Sequence, residues 1–227
     1  FHTKTQVPIM IRQFLEYVLT QFSYKIKLIR SDNGTEFIQE TCDQLFKDKG
    51  IIHQRSVVGR PQQNGQIERK HRHLVDTARS LRIHAHLPIQ VWGEYLLTAT
   101  YLINLLPSSL LNWKTPDEIL FNKHPSYDDL RVFGCQCYST MPITYHDKMG
   151  TKAKKCMFVG YPFGQKGYKL IDLQTQKLFV SRDVIFQEDI FPFDPVLQTA
   201  RNRITTPMLV NFLDDHKDND LYQTPIS

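Results

Sequence analysis

The sequence predicts an α/β layer followed by helices and then a small antiparallel β module. Three observations carry that prediction. Apolar residues recur at helical spacing in several stretches between residues 5 and 106. Short strand-like segments at 25–30 and 51–57 bracket one of those stretches. From about residue 131 the apolar period changes to two. Strand–helix–strand alternation belongs to an α/β layer, and short strands with tight turns belong to an antiparallel meander or barrel. At 227 residues, 41% apolar, the chain can build one or two domains with real cores.

Taken in order, Val7, Ile11, Phe14, Leu15, Val18 and Phe22 define a helix over 5–23, with Thr5 as its N-cap. K-I-K-L-I-R (25–30) alternates polar and apolar residues and reads as a strand, closed by an Asn33-Gly34 turn. Phe37, Cys42, Leu45 and Phe46 predict a helix over 36–49 that stops at Gly50, and 51–57 is the next strand. Gly59, Pro61, Asn64 and Gly65 make 58–66 a loop. A long helix to about 86 carries the stripe Ile67, Leu74, Ala78, Leu81 and Ala85, with Glu68, Arg72 and Arg79 on one flank. After Pro88, a helix over 89–106 presents Trp92, Tyr95, Leu96, Ala99, Leu102, Ile103 and Leu106 on one face. T-P-D-E-I-L-F (115–121) is a short helix with Thr115 as N-cap and Pro116 in the first turn. Beyond 131, R-V-F-G-C-Q-C-Y, K-C-M-F-V-G-Y, G-Y-K-L-I-D-L and K-L-F-V-S-R-D-V-I-F are strands, with a hairpin turn at 172–177 and a bend at 181–183. After Pro195 the pattern fades into the acidic, polar L-D-D-H-K-D-N-D (213–220), which suits a linker or disordered tail.

The net charge of +5 favours a polyanionic partner. Cys135 and Cys137 form C-x-C, but no second pair or His-x₃₋₅-His cluster completes a zinc site, so Cys42, Cys135, Cys137 and Cys156 are expected as reduced, partly buried thiols. No signal peptide opens the chain, and no apolar run approaches the ~20 residues that span a bilayer. A soluble intracellular protein without a membrane partner is the expectation.

Two acids stand in distinctive phrases. Asp32 lies in I-R-S-D-N-G-T-E-F (29–37) and Glu68 in G-R-P-Q-Q-N-G-Q-I-E-R-K (59–70), with 35 residues between them. Carboxylates from distant parts of a chain are what two-metal phosphoryl-transfer sites use, and oxygen ligands suit Mg²⁺. Each acid also has a plainer account. Asp32 follows a strand and can bond its own turn backbone. Glu68 near a helix start favours the helix dipole and can pair with Arg72. From His53 to His84, seven basic residues (Arg55, Arg60, Arg69, Lys70, Arg72, Arg79, Arg82) oppose two acids, Glu68 and Asp76. That excess suits a phosphodiester backbone, although a charge run can equally be a solvated helix face. His53, His71 and His73 are possible metal ligands, with His71, beside the apolar stripe, expected as a packed core-edge residue.

The two phrases and their spacing resemble the second and third members of the D,D-35-E set of retroviral and retrotransposon integrases. L-P-I-Q-V-W-G-E (87–94), Y-L-I-N-L-L-P (101–107) and R-V-F-G-C (131–135) resemble the copia-type LTR retrotransposon branch, and the likeness covers about 1–193. It implies a partial RNase H-like integrase core over 1–107, a helical connector over 108–130, an SH3-like β module over 131–193 and a disordered tail over 194–227. It implies that Asp32 and Glu68 are catalytic metal ligands for Mg²⁺ or Mn²⁺. Arg60, Gln62, Gln63, Asn64, Lys70 and Arg72 would contact DNA, with Gly59 and Gly65 letting the loop move. The implied partners are element-end DNA, target DNA and other integrase protomers, with the nucleus as the place of action. Such integrases carry a first catalytic Asp upstream, whereas residues 1–31 here contain no Asp and a single acid, Glu16. The chain therefore reads as a piece that begins after the first catalytic strand. The rival is a catalytically dead nucleic-acid-binding remnant of the same polyprotein.

Overall fold

The computed structural model describes residues 6–56, 65–140 and 153–195. Its contacts form two compact units, Phe1–Arg72 and His73–Ser227.

In the first unit, α1 (Val7–Phe22) begins at Gln6 with Pro8 in its first turn and ends at Ser23, whose left-handed φ of 55° lets its N–H reach the Leu19 carbonyl. The expected cap, Thr5, lies outside the described residues. Strands β1 (Leu28–Ser31) and β2 (Ile52–Arg55) pair in parallel, Leu28 opposite Ile52 and Ser31 opposite Arg55. Parallel strands need a crossover, and helices α2 (Thr35–Ile38) and α3 (Glu40–Lys49) supply it. The single helix expected over 36–49 breaks because Gln39 is extended, with ψ of 143°. Gly50 ends α3 as expected, at φ +65° with its N–H on the Phe46 and Lys47 carbonyls. Leu15, Cys42, Phe46 and Ile51 form the buried core, with Ile11, Ile26 and Ile29 against it.

Helix α4 (Gly65–His84) starts in the first unit and continues into the second. Its expected stripe is buried only in the second unit. Ala78 and Ala85 are buried and Leu74 and Leu81 pack on them, whereas Ile67 is 53% exposed. His71 is exposed, a correction to its expected place at the core edge, because α4 enters the described core only from Leu74 and Ala78 onward.

In the second unit α5 (Trp92–Leu105) and α6 (Pro116–Phe121) precede strands β3 (Gln136–Thr140), β4 (Ala153–Gly160), β5 (Tyr168–Asp172), β6 (Leu178–Ser181) and β7 (Val184–Gln187). The strands form an antiparallel sheet in the order β6-β5-β4-β3-β7. Successive strand side chains point to opposite faces. Met157, Val159 and Ile171 accordingly meet Ala78, Ala85, Tyr95 and Ala99, while Cys156, Phe158 and Leu170 meet Cys135 and Cys137. Burial on both faces explains why β4 reads as a continuous apolar run rather than an alternating one. Fully burying Phe158 contributes roughly 2 kcal/mol. Helix α5 and Ala85, the residue after α4, each come close to a glycine. A Cβ on Gly160 would fall 2.4 Å from Thr98 Oγ1, and one on Gly134 would fall 2.2 Å from Ala85 Cβ. Thr98 Oγ1 donates to the Val159 carbonyl at 3.2 Å, and the partly buried pair Lys169–Glu94 closes at 2.6 Å.

Residues 78–99 share one core with the sheet, and the compact units divide between Arg72 and His73. Two residues expected on the apolar face of α5, Trp92 and Leu106, are 58% and 55% exposed. Thr115 caps α6 as expected, accepting the Glu118 N–H at 3.0 Å. All four cysteines are buried and free.

Candidate carboxylate site at the end of β1

Asp32 follows the last residue of β1 and is exposed. Its Oδ1 accepts the Gly34 N–H at 3.0 Å, so the turn-capping role available to it in sequence is present in the structure. That bond occupies one carboxylate oxygen. Next to it, Asn33 Nδ2 donates to the Ser56 carbonyl at 2.8 Å and ties the turn to the end of β2.

Behind the turn lies a polar pair. Ser31 is 6% exposed, and its Oγ donates to the Asp32 carbonyl at 2.8 Å. His53 Nε2 lies 2.8 Å from the same Oγ. The imidazole packs on Phe46, with ring centroids 4.8 Å apart, and its Nδ1 is buried with no hydrogen-bond partner, 4.0 Å from Asp43 Oδ1. Burial pulls the His53 pKa below the usual histidine value; Arg55 pulls the same way and Asp43 opposes them. Asp43 is also 3.4 Å from Arg55. A polar recess of about 360 Å³ opens beside these strand ends, lined by Arg30, Gln54, Arg55 and Ser56, with Arg30 bonded to Gln54 at 2.9 Å.

Glu68 stands in the first turn of α4 and is exposed, as are Lys70 and Arg72. Among the described residues the expected Glu68–Arg72 pair does not form, and Arg79 pairs with Asp76 at 2.7 Å on the same helix. Arg60, Gln62, Gln63 and Asn64 lie outside the described residues. Asp32 and Glu68 offer the hard oxygens that Mg²⁺ prefers and so fit a metal in donor chemistry. Among the described residues, however, no three His, Cys, Asp or Glu side chains gather as a metal site.

Sequence reasoning missed the joint role of Ser31 and His53. The register explains why. Ile29 lies opposite His53, which sets His53 diagonal to Ser31, and no periodicity in the chain reveals which residues of two parallel strands come opposite.

Comparison with known proteins places the β module and the acid-bearing segments beside retrovirus-related polyproteins. Residues 135–199 match the family described as the retroviral polymerase SH3-like domain. Over 196 residues the chain is 40% identical to the retrovirus-related Pol polyprotein from transposon RE1 of Arabidopsis thaliana, covering 86% of this chain and 13% of that protein. It is 39% identical to the corresponding polyprotein from transposon TNT 1-94 of Nicotiana tabacum, over 82% of this chain and 14% of the relative. The chain is thus similar to part of the retrovirus-related Pol polyproteins of plant transposons and contains a region that matches the retroviral polymerase SH3-like domain. It spans 13–14% of the length of these relatives. The catalytic core domain of BIV integrase overlaps 53% of this chain and 72% of its own at 26% identity, with a TM-score of 0.39, too loose an overlap to argue from.

Proposed function

We propose that this chain is the part of a copia-type integrase that contributes Asp32 and Glu68 to a metal-dependent DNA-joining site. The parent protein, in this reading, processes element ends and transfers them into target DNA within an RNase H-like core. The metal, Mg²⁺ or Mn²⁺, would activate the attacking oxygen and stabilise the leaving one. The observation that carries the reading is the pair of acids, each inside its own phrase and 35 residues apart, within a chain 40% identical to a retrotransposon Pol polyprotein. Lys70 and Arg72, exposed on the helix that carries Glu68, are suited to hold the DNA backbone, together with Arg60, Gln62, Gln63 and Asn64 of the preceding loop. Other protomers complete the assembly, and the nucleus is its place of work.

A second reading has a specific observation behind it. Seven basic residues against two acids between His53 and His84 suit a nucleic-acid-binding remnant of the same polyprotein.

Salt titration of duplex DNA binding tests the DNA part of the proposal. Log affinity should fall with log salt at a slope of about −0.9 per phosphate neutralised. Replacing Lys70 and Arg72 together by Ala should weaken binding and flatten that slope by about 2. A folded double variant, checked by its melting curve, with an unchanged slope returns both residues to a merely solvated helix face.

A further inference from the structure

We propose that His53 and Ser31 are positioning residues. Together they form a directional hydrogen-bond chain that holds the end of β1, and with it the Asp32 carboxylate, in one geometry. The proposal rests on the reading of Asp32 as a metal ligand.

Direction follows from proton counting. The Asp32 carbonyl can only accept, so the 2.8 Å contact uses the single hydroxyl proton of Ser31. His53 Nε2, 2.8 Å from the same oxygen, must then be the donor. The order is His53 N–H to Ser31 O–H to the Asp32 carbonyl. Hydrogen bonds in series polarise one another, and this one runs through a serine only 6% exposed. The neutral ring with its proton on Nε2 leaves Nδ1 a bare lone pair, which agrees with a buried Nδ1 that has no partner. Phe46 packs against the imidazole with its ring tilted 57° to it.

The far end of the chain is the peptide joining Asp32 to Asn33. On the other side of that peptide, Gly34 N–H holds Asp32 Oδ1 at 3.0 Å. Asp32 is thus restrained at its backbone oxygen and at one carboxylate oxygen. Partners behind a ligand commonly orient it in this way, and their loss typically costs roughly 10- to 100-fold in metal affinity. A serine-nucleophile reading of Ser31, His53 and Asp43 fails on the same facts. The hydroxyl is buried, its proton is committed to the Asp32 carbonyl, and the His53–Asp43 separation of 4.0 Å is too long for a hydrogen bond.

The experiment uses the full chain and two readouts. His53→Phe keeps an aromatic ring on Phe46 but removes the donor. His53→Gln restores an N–H near the Nε2 position. Ser31→Ala breaks the chain at its middle and stands in should His53→Phe not fold. The first readout needs no metal: amide hydrogen exchange at Gly34. Exchange there should rise about tenfold in His53→Phe and Ser31→Ala and return towards wild type in His53→Gln, with melting temperatures within a few degrees. The second is Mn²⁺-induced broadening of the 33–34 amide resonances. The Mn²⁺ concentration required should rise about tenfold in the two broken variants, and Asp32→Asn should abolish the effect. Unchanged Gly34 exchange in folded His53→Phe and Ser31→Ala overturns the positioning role. So does unchanged Mn²⁺ affinity in those variants when Asp32→Asn abolishes binding. Wild-type broadening that is absent, or that survives Asp32→Asn, sinks the ligand reading itself and the proposal with it.

Discussion

Gly134 sits at φ +81°, where L side chains are strained, and a Cβ there would fall 2.2 Å from Ala85 Cβ. Neither atom can yield cheaply, because Ala85 is fully buried against the sheet. Gly134→Ala should therefore cost about 3 kcal/mol, read by urea unfolding followed by near-ultraviolet circular dichroism. A loss below about 1 kcal/mol would mean that the turn at Ala85 shifts freely, against the close packing of this core. The cysteines behave as buried apolar groups for a related reason. Desolvation pushes the thiol of Cys135 up to about 12 and that of Cys156 up to about 11. A thiol whose folded value lies above its ordinary 9.0 keeps its proton in the native state after the unfolded chain has lost it. Stability from these groups is therefore complete below pH 9.0 and is lost as pH rises from there towards 11 to 12. Unfolding free energies measured across that window should fall, and Cys135→Ser with Cys156→Ser should flatten the fall.

On the scale of elements, helix α4 does two things. Its start, with Glu68, Lys70 and Arg72, is solvent-exposed, and its later turns bury Ala78 under the sheet. The catalytic proposal makes a demand on that exposed start. Two metals in such sites lie about 4 Å apart, so Asp32 and Glu68 should approach to within roughly 10 Å. Spin labels at the two positions in the full chain would measure this, and a separation of twice that value would remove them from a common site. The strand elements were readable in outline. Strands β3 to β7 follow the expected segments, and the turn after β5 holds because Asp172 accepts the Gln174 and Thr175 N–H groups at 2.8 and 3.1 Å. The break at Gln39 was not readable, since Phe37, Cys42, Leu45 and Phe46 keep helical spacing on both sides of it.

For the whole molecule, the expectation is that this chain shows no strand transfer with Mg²⁺ or Mn²⁺. Among the described residues no third acid, His or Cys gathers with Asp32 and Glu68, and a two-metal site deprived of a ligand loses most of its catalysis. Joining of a labelled DNA end to a target duplex, assayed with the full chain, is the measurement. Product that disappears on Glu68→Gln would show that Asp32 and Glu68 have a third partner in this chain after all.

The sequence by itself determined the order of elements, the change of period near 131 and the two acidic phrases, because these rest on local spacing and on side chains read one at a time. Tertiary structure alone decided which elements share a core. The helical stretch after Arg72 joins the β sheet because Ala85 and Thr98 meet Gly134 and Gly160 closely enough to exclude a methyl group. It also decided what stands behind Asp32. Ser31 and His53 are 22 positions apart, and only the parallel register of β1 and β2 brings a serine hydroxyl and an imidazole to 2.8 Å, a juxtaposition no local pattern encodes.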